Sequence, residues 1–381
     1  MTQSVSSNSI TSLVSSKLTG ALPAISGAAL TGVNAGVFSS TSDPTPTSNK
    51  TLGLIWANSI TGDLFNCTDA TTNNNVWINV GGGFGNIWVF GAIGDRGVFG
   101  GGRAAGLVDT IDYVSISTIG NATDFGNLTN SRYETATASN GSRGVWYAGS
   151  GTAATRFNTI DYVTIGTTGN ATSFGTAVGS LQIGEGGASN TTRGIFFGGD
   201  IGGASSNQIS YITIATTGNG TSFGDLPSAT RAGAAVSNET ISVYGGGANV
   251  SETKLNEIKY VTIATAGNTT DFGDLTTTTY NTAACSNGIR GIWSGGFRQP
   301  SASNILDYVT ISTKGNAADF GDLTAVKTEH AGTANATRGI FMGGSGDVNI
   351  IDYVTIPTVG NATDFGDLSI GRRGPNGLSG D

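Results

Sequence analysis

The chain has 381 residues, of which 12% are charged, against about 25% in an ordinary globular protein, and its net charge is −8. That balance excludes a phosphate-neutralising, nucleic-acid-binding surface, and the apolar residues, 37% of the total, never run long enough to span a bilayer. The 61 glycines, set among many Ser, Thr and Asn, suit short strands joined by tight turns, where positive φ is needed.

Residues 1–49 read as an extended Ser/Thr/Gly-rich attachment segment and linker. The opening MTQSVSSNSITSLVSS has neither the basic start nor the apolar stretch of a secretory signal. SSKLTGALPAISGAALTGV, from Ser15, has no helical period and too few large apolar residues to fold alone. SSTSDPTPTSNK, from Ser39, reads as a flexible or extended linker. Residues 50–85 read as a small β module, with Gly62-Asp63 as a hairpin turn between apolar strands. The two cysteines, Cys67 and Cys285, lie too far apart in sequence to suggest a disulfide framework or a Cys-rich metal site, and read as small buried residues.

From residue 86 to the C-terminus the chain repeats itself. Tyr113, Tyr162, Tyr211, Tyr260, Tyr308 and Tyr353 are spaced by 49, 49, 49, 48 and 45 residues. Behind each tyrosine comes a Gly-Asn pair (Gly120-Asn121 is the first, Gly360-Asn361 the last) and then a Phe-Gly pair, from Phe125 to Phe365. Such a period marks a repeat architecture. Within one unit, ETATASN, RGVWYAG, TIDYVTI and TSFGTAV each read as a short strand, and TTGNAT as a turn. In the third strand Ile160 and Tyr162 should face one way, Val163 and Ile165 the other. The expected fold is all-β: six four-stranded blades of a propeller. Its ring is expected to close either through RRGPNGLSGD, from Arg372, or through the stretch at Ile87–Ala92.

Signs of catalysis are weak. The single histidine, His330, has no triad pattern around it and reads as a surface or structural residue. The recurring Asp-Phe-Gly string sits in register with the repeat and reads as a turn capping a strand, not as a kinase motif. Pairs such as Asp271/Asp274 lack the spacing of a calcium loop. No cofactor and no metal site is expected. Binding should sit where the units differ, in the loops after the Gly-rich strand: GGGRAAGLVDT, GSGTAATRFNT, GGDIGGASSNQ, GGGANVSETKLNE, GGFRQPSASN and GGSGDVN. Their candidate contact residues are Arg103, Arg156, Phe157, Lys254, Phe297, Arg298 and Gln299.

The repeats resemble kelch units. Arg132 and Arg231 stand at the start of a unit, Gly198-Gly199 and Gly343-Gly344 close a second strand, Tyr162 lies on a third strand and Phe174 on a fourth. Phe replaces the usual fourth-strand Trp, and Tyr280 stands at one start position. The resemblance implies a six-bladed kelch-like propeller. Separately, Trp56, Asn58, Thr61-Gly62-Asp63, Cys67-Thr68-Asp69 and Val76-Trp77 resemble a small module of bacteriophage and other viral structural proteins, and the segment from Ser15 resembles tail-fibre attachment regions. This second resemblance implies a virion protein attached through its N-terminal segment to other virion proteins. It further implies a homotrimer, as fibre proteins often are, with the loops turned to a host-surface receptor or glycan. Other readings are a capsid or tail decoration protein, a glycan-active enzyme and a cellular partner-binding propeller.

Overall fold

The computed structural model describes residues 37–58, 64–81, 94–152, 155–178, 182–183, 186–201, 204–298 and 300–380. The chain divides into two compact units, residues 1–89 and 90–381.

The first unit is one four-stranded sheet, in the order Val37–Ser40, Ile55–Asn58, Leu64–Asp69, Val76–Gly81. Ile55–Asn58 and Leu64–Asp69 pair antiparallel, as the hairpin reading requires, although the Gly62-Asp63 turn lies outside the described residues. Trp56, Phe65, Cys67 and Trp77 form its core. The linker reading of residues 39–49 needs correction. Val37–Ser40 pairs parallel with Ile55–Asn58, and a 3-10 turn at Pro46–Ser48 is tied down by the Asn75 N–H bonding to the Pro46 carbonyl at 2.8 Å. The indole N–H groups of Trp56 and Trp77 donate to the carbonyls of Ser42 and Thr45. Buried indoles need such partners, and this polar stretch supplies them.

Among its described residues the second unit has six four-stranded antiparallel sheets, none of which closes on itself, beside a small three-stranded and a small two-stranded sheet in the loops. Sheet A holds Asn376–Gly380, Arg96–Gly100, Thr110–Ser115 and Thr123–Asn127, so the last strand of the chain pairs with the first strand of the repeats. The stretch Ile87–Ala92 lies outside the described residues. Sheet B holds Ala136–Ser139, Arg143–Tyr147, Thr159–Thr164 and Thr172–Thr176. Sheet C holds Gly187–Ser189, Arg193–Phe197, Gln208–Thr213 and Thr221–Asp225. Sheet D holds Thr230–Ser237, Ile241–Asn249, Leu255–Thr262 and Thr270–Thr279. Sheet E holds Ala283–Ser286, Arg290–Ser294, Ile305–Thr310 and Ala318–Asp322. Sheet F holds Ala331–Ala334, Arg338–Met342, Ile350–Thr355 and Thr363–Asp367.

The apolar alternation determines how the sheets pack. Ile160 and the half-buried Tyr162 join a cluster with Phe196 and Ile214 of sheet C, while Val163 and Ile165 join one with Val98 and Phe125 of sheet A. Four further clusters couple C with D, D with E, E with F, and F with A.

Polar contacts repeat the same cyclic order. The Ser189 hydroxyl donates to the Ser139 carbonyl at 2.7 Å, Ser237 to Ser189 at 2.7 Å and Ser286 to Ser237 at 3.0 Å. Ser139 donates to the Ser379 carbonyl at 2.7 Å and Ser379 to that of Ala334 at 2.6 Å. Ala334, at the sixth such position, has no hydroxyl to donate. These first strands enclose a cavity of about 80 Å³, lined by residues of all six sheets.

The repeated Gly-Asn turn docks on the Phe-Gly strand of the preceding sheet. The Asn170 side-chain oxygen accepts from the Asn127 N–H at 3.1 Å, and Asn219, Asn268, Asn316, Asn361 and Asn121 do the same in the other sheets. A Cβ on Gly224 would lie 2.1 Å from the Gly267 carbonyl oxygen, so the strand glycine is required by close backbone approach.

Candidate functional site

The six variable loops join the second and third strands of each sheet, so they emerge at one edge of every sheet together with the segments that lead into the first strands. Four of the loops begin with a glycine turn that rests on the segment leading into the next sheet. The N–H groups of Gly102, Gly199, Gly296 and Gly344 donate to the carbonyls of Arg132, Thr230, Lys327 and Arg372. Gly101 has φ +71°, and a Cβ there would meet the Arg132 oxygen at 2.4 Å.

The same positions hold buried cations. Arg132 pairs with Asp161 at 3.0 Å, Lys327 with Asp352 at 3.0 Å and Arg372 with Asp112 at 3.1 Å. A hydroxyl from the preceding segment completes each carboxylate: Thr129 for Asp161, Thr324 for Asp352 and Ser369 for Asp112. Where the cation is missing, the acid is either replaced or given another partner. Sheet C has Ser210 at the acid position, and sheet D has Thr230 and Lys259. Sheet E keeps Asp307 but has Thr279 at the cation position, and there Arg298 reaches in from the loop to bond Asp307 at 3.0 Å.

The seven expected contact residues therefore separate. Arg298 is only 6% exposed; its guanidinium also bonds the Thr276 and Thr277 hydroxyls, so it holds the sheet together and is not a free loop cation. Phe297 is half-buried against Tyr280, and the Lys254 ammonium lies 4.7 Å from the same ring. Arg156 pairs with Asp200 at 3.4 Å, and Phe157 beside it is half-buried. Arg103 is exposed and bridges through its backbone to Arg373, drawing the two ends of the repeat region together. Gln299 lies outside the described residues. The kelch-type equivalence of Arg231 with Arg132 also needs correction: Arg231 is half-buried and pairs with Glu252, while Thr230 occupies the buried position.

Sequence reading missed the residues nearest the centre of this face. Two positions after the cation position or its substitute, in the segments that lead into five of the six sheets, stand Glu134, Ala232, Asn281, Glu329 and Gly374, all with positive φ of 53–61°. Their backbones are bonded in series: Asn281 N–H to Ala232, Glu329 to Asn281, Gly374 to Glu329 and Glu134 to Gly374. They line a cavity of about 60 Å³ together with His330, Thr135 and Thr282. Burial, and then the nearby Glu329 and Asp200 carboxylates, push the Glu134 carboxyl above the usual range, against a hydrogen bond from Ser150 that lowers it. The signal in the sequence is the aligned series Glu, Ala, Asn, Glu, Gly, visible only once the start position is aligned correctly.

His330 is 6% exposed, and burial followed by the neighbouring Lys327 holds its imidazole down at about 3. Its Nε2 lies 2.7 Å from the Ser294 hydroxyl. The pair has the spacing of a nucleophile and base, but Ser294 is wholly buried and His330 Nδ1 has no acid partner. Among the described residues no group of three His, Cys, Asp or Glu side chains converges as a metal site. Cys67 and Cys285 are free buried thiols, and burial raises both. No protein-family model matches the chain, and no curated protein matches it.

Proposed function

We propose that the protein is a virion structural component of the tail-fibre kind, and that its second unit is a six-bladed kelch-like propeller binding a host-surface receptor or glycan. Support for the propeller is the cyclic order of the six apolar clusters, including the one between sheets F and A, with the chain ends paired in one sheet. Support for binding is the division within each repeat. The Gly-Asn and Phe-Gly elements that join sheets are uniform, whereas the loops between second and third strands differ in length and charge. A rigid scaffold with variable loops on one edge is suited to recognition. With Arg298 committed to Asp307, the proposed loop contacts are Arg103, Arg156, Phe157, Lys254, Phe297 and Gln299, with Arg373 added beside Arg103. The virion assignment rests on the resemblance of the Trp56 to Trp77 module, with residues 1–36 as the attachment to other virion proteins and the site of trimer formation.

The test is electron microscopy of purified virus particles labelled with an antibody against residues 96–381. Label at the tips of tail appendages is the expected result. Label spread over the capsid makes the protein a decoration, and unlabelled particles overturn the virion assignment.

A further inference from the structure

The sequence has four Asn-Gly pairs: Asn140-Gly141, Asn219-Gly220, Asn287-Gly288 and Asn376-Gly377. A glycine leaves its own backbone nitrogen unhindered, because it carries no Cβ. That nitrogen can attack the side-chain amide carbon of the asparagine before it, provided its N–H is not held elsewhere. The fold treats the four pairs differently. The Gly141 N–H donates to the Ser139 hydroxyl at 2.9 Å, and the Gly220 N–H to the Thr176 carbonyl at 2.8 Å. Asn376 and Gly377 lie within the last strand, paired with Arg96–Gly100. Gly288 is half-buried in the turn between the first two strands of sheet E, and among the described residues its N–H has no hydrogen-bond partner.

The Asn287 side chain is fixed at the same turn. Its Oδ1 accepts from the Ile289 and Arg290 N–H groups at 3.0 and 2.9 Å, and its Nδ2 donates to the Ala336 carbonyl of sheet F at 3.0 Å. Two backbone donors on an amide oxygen stabilise the negative charge that develops there when a nucleophile adds to the carbon. Two related turns lack one element each. Asn335 has the same donors, from Thr337 and Arg338, but Ala336 follows it. Asn140 has them from Ser142 and Arg143, but Gly141 is tied to Ser139.

We propose that Asn287 is a site of spontaneous deamidation in the folded protein. Solvent hydroxide takes the Gly288 N–H proton, the nitrogen bonds to Asn287 Cγ, and the electron pair displaced onto Oδ1 is held by Ile289 and Arg290. That pair returns as the Cγ–Nδ2 bond breaks, and Nδ2 leaves as ammonia with a proton from water. Water then opens the succinimide at either carbonyl, giving aspartate or isoaspartate, so the net change is uptake of water and loss of ammonia. Either product sets a negatively charged acceptor against the Ala336 carbonyl, where a donor stood before, and the contact between sheets E and F becomes repulsive.

Peptide mapping by mass spectrometry tests this on the full chain, incubated at pH 8.5 and 37 °C in native buffer and in urea. Deamidation raises the mass of a peptide by about 1 Da. In native buffer the Asn287 peptide is expected to convert at least fivefold faster than those of Asn140, Asn219 and Asn376, and in urea the four rates converge. Equal native rates, or an Asn287 peptide that converts in urea and not in native buffer, overturn the proposal. Ser139→Ala frees the Gly141 N–H at a position where Ala334 shows that alanine is accommodated. It is expected to raise the Asn140 rate at least threefold; an unchanged rate would refute the role of the free glycine N–H. Asn287→Asp carries the new charge from the start and is expected to melt below wild type, and an unaltered melting temperature would refute the effect on the contact between sheets E and F.

Discussion

Asp161 and Arg132 are both wholly buried and pair at 3.0 Å, so each compensates the other's charge. Removing one partner of such a pair typically costs about 3–5 kcal/mol, because a charge is left without compensation. That explains why Asp307, with Thr279 at the cation position, requires Arg298. It is also why the role of Arg298 was illegible in the sequence: FRQP reads as an exposed loop until Asp307 is placed beside it. His330 makes the clearest prediction at this scale. Its folded pKa, near 3, lies below the unfolded value of about 6.5. The unfolded chain therefore takes up a proton first as pH falls, and stability is lost through that window at up to about 1.4 kcal/mol per pH unit. Above pH 6.5 the contribution is complete. Glu134, whose carboxyl is raised, works in the opposite sense, so the comparison must be with a variant. Denaturant titrations at pH 7 and 4.5 are expected to show a smaller acid loss in His330→Gln than in wild type. Equal losses would show that His330 is not held neutral.

At the scale of elements, the recurring Gly-Asn and Phe-Gly pairs are joints between sheets. Each pair of neighbours brings a turn carbonyl against a strand glycine, and each asparagine bonds the next backbone N–H. The third and fourth strands share a bulge at the same place in every sheet, between Ile111 and Asp112 in the first and Ile351 and Asp352 in the last. The fourth strands are edges, and exposed Asp124, Asp271, Asp319 and Asp364 stand on them. Charges at such edges oppose pairing with other chains. Gly224→Ala is expected to cost about 2–4 kcal/mol, since the new methyl group meets backbone that cannot swing aside. Gly267→Ala, on the turn that Gly224 faces, has open space at its Cβ and is expected to stay within about 0.5 kcal/mol. Chemical denaturation of the two variants checks the contrast, and similar losses would refute the joint. These strands were legible because β-branched and aromatic residues alternate over a fixed period. Val37–Ser40 was not, because a four-residue strand in parallel pairing gains its order from Ile55–Asn58 and not from its own pattern.

At the scale of the whole molecule, repetition explains what no single unit can provide. One sheet buries neither face alone; six coupled in cyclic order bury both. The loop edge was legible as the place of variation, whereas its acidic centre was not. Glu134, Asn281 and Glu329 lie on different repeats and meet only when the sheets are arranged around a common cavity. That arrangement depends on the last strand. Leu378 packs with Val98 and Trp146, and the Trp146 indole donates to the Asn376 carbonyl. The most direct test is calorimetry of the chain ending at Gly374. Loss of residues 375–381 exposes the second strand of sheet A and opens the contact with sheets B and F. The expected result is a fall of more than 10 °C in the melting temperature of the repeat unit. An unchanged transition would contradict the proposed closure of the ring through the C-terminal strand.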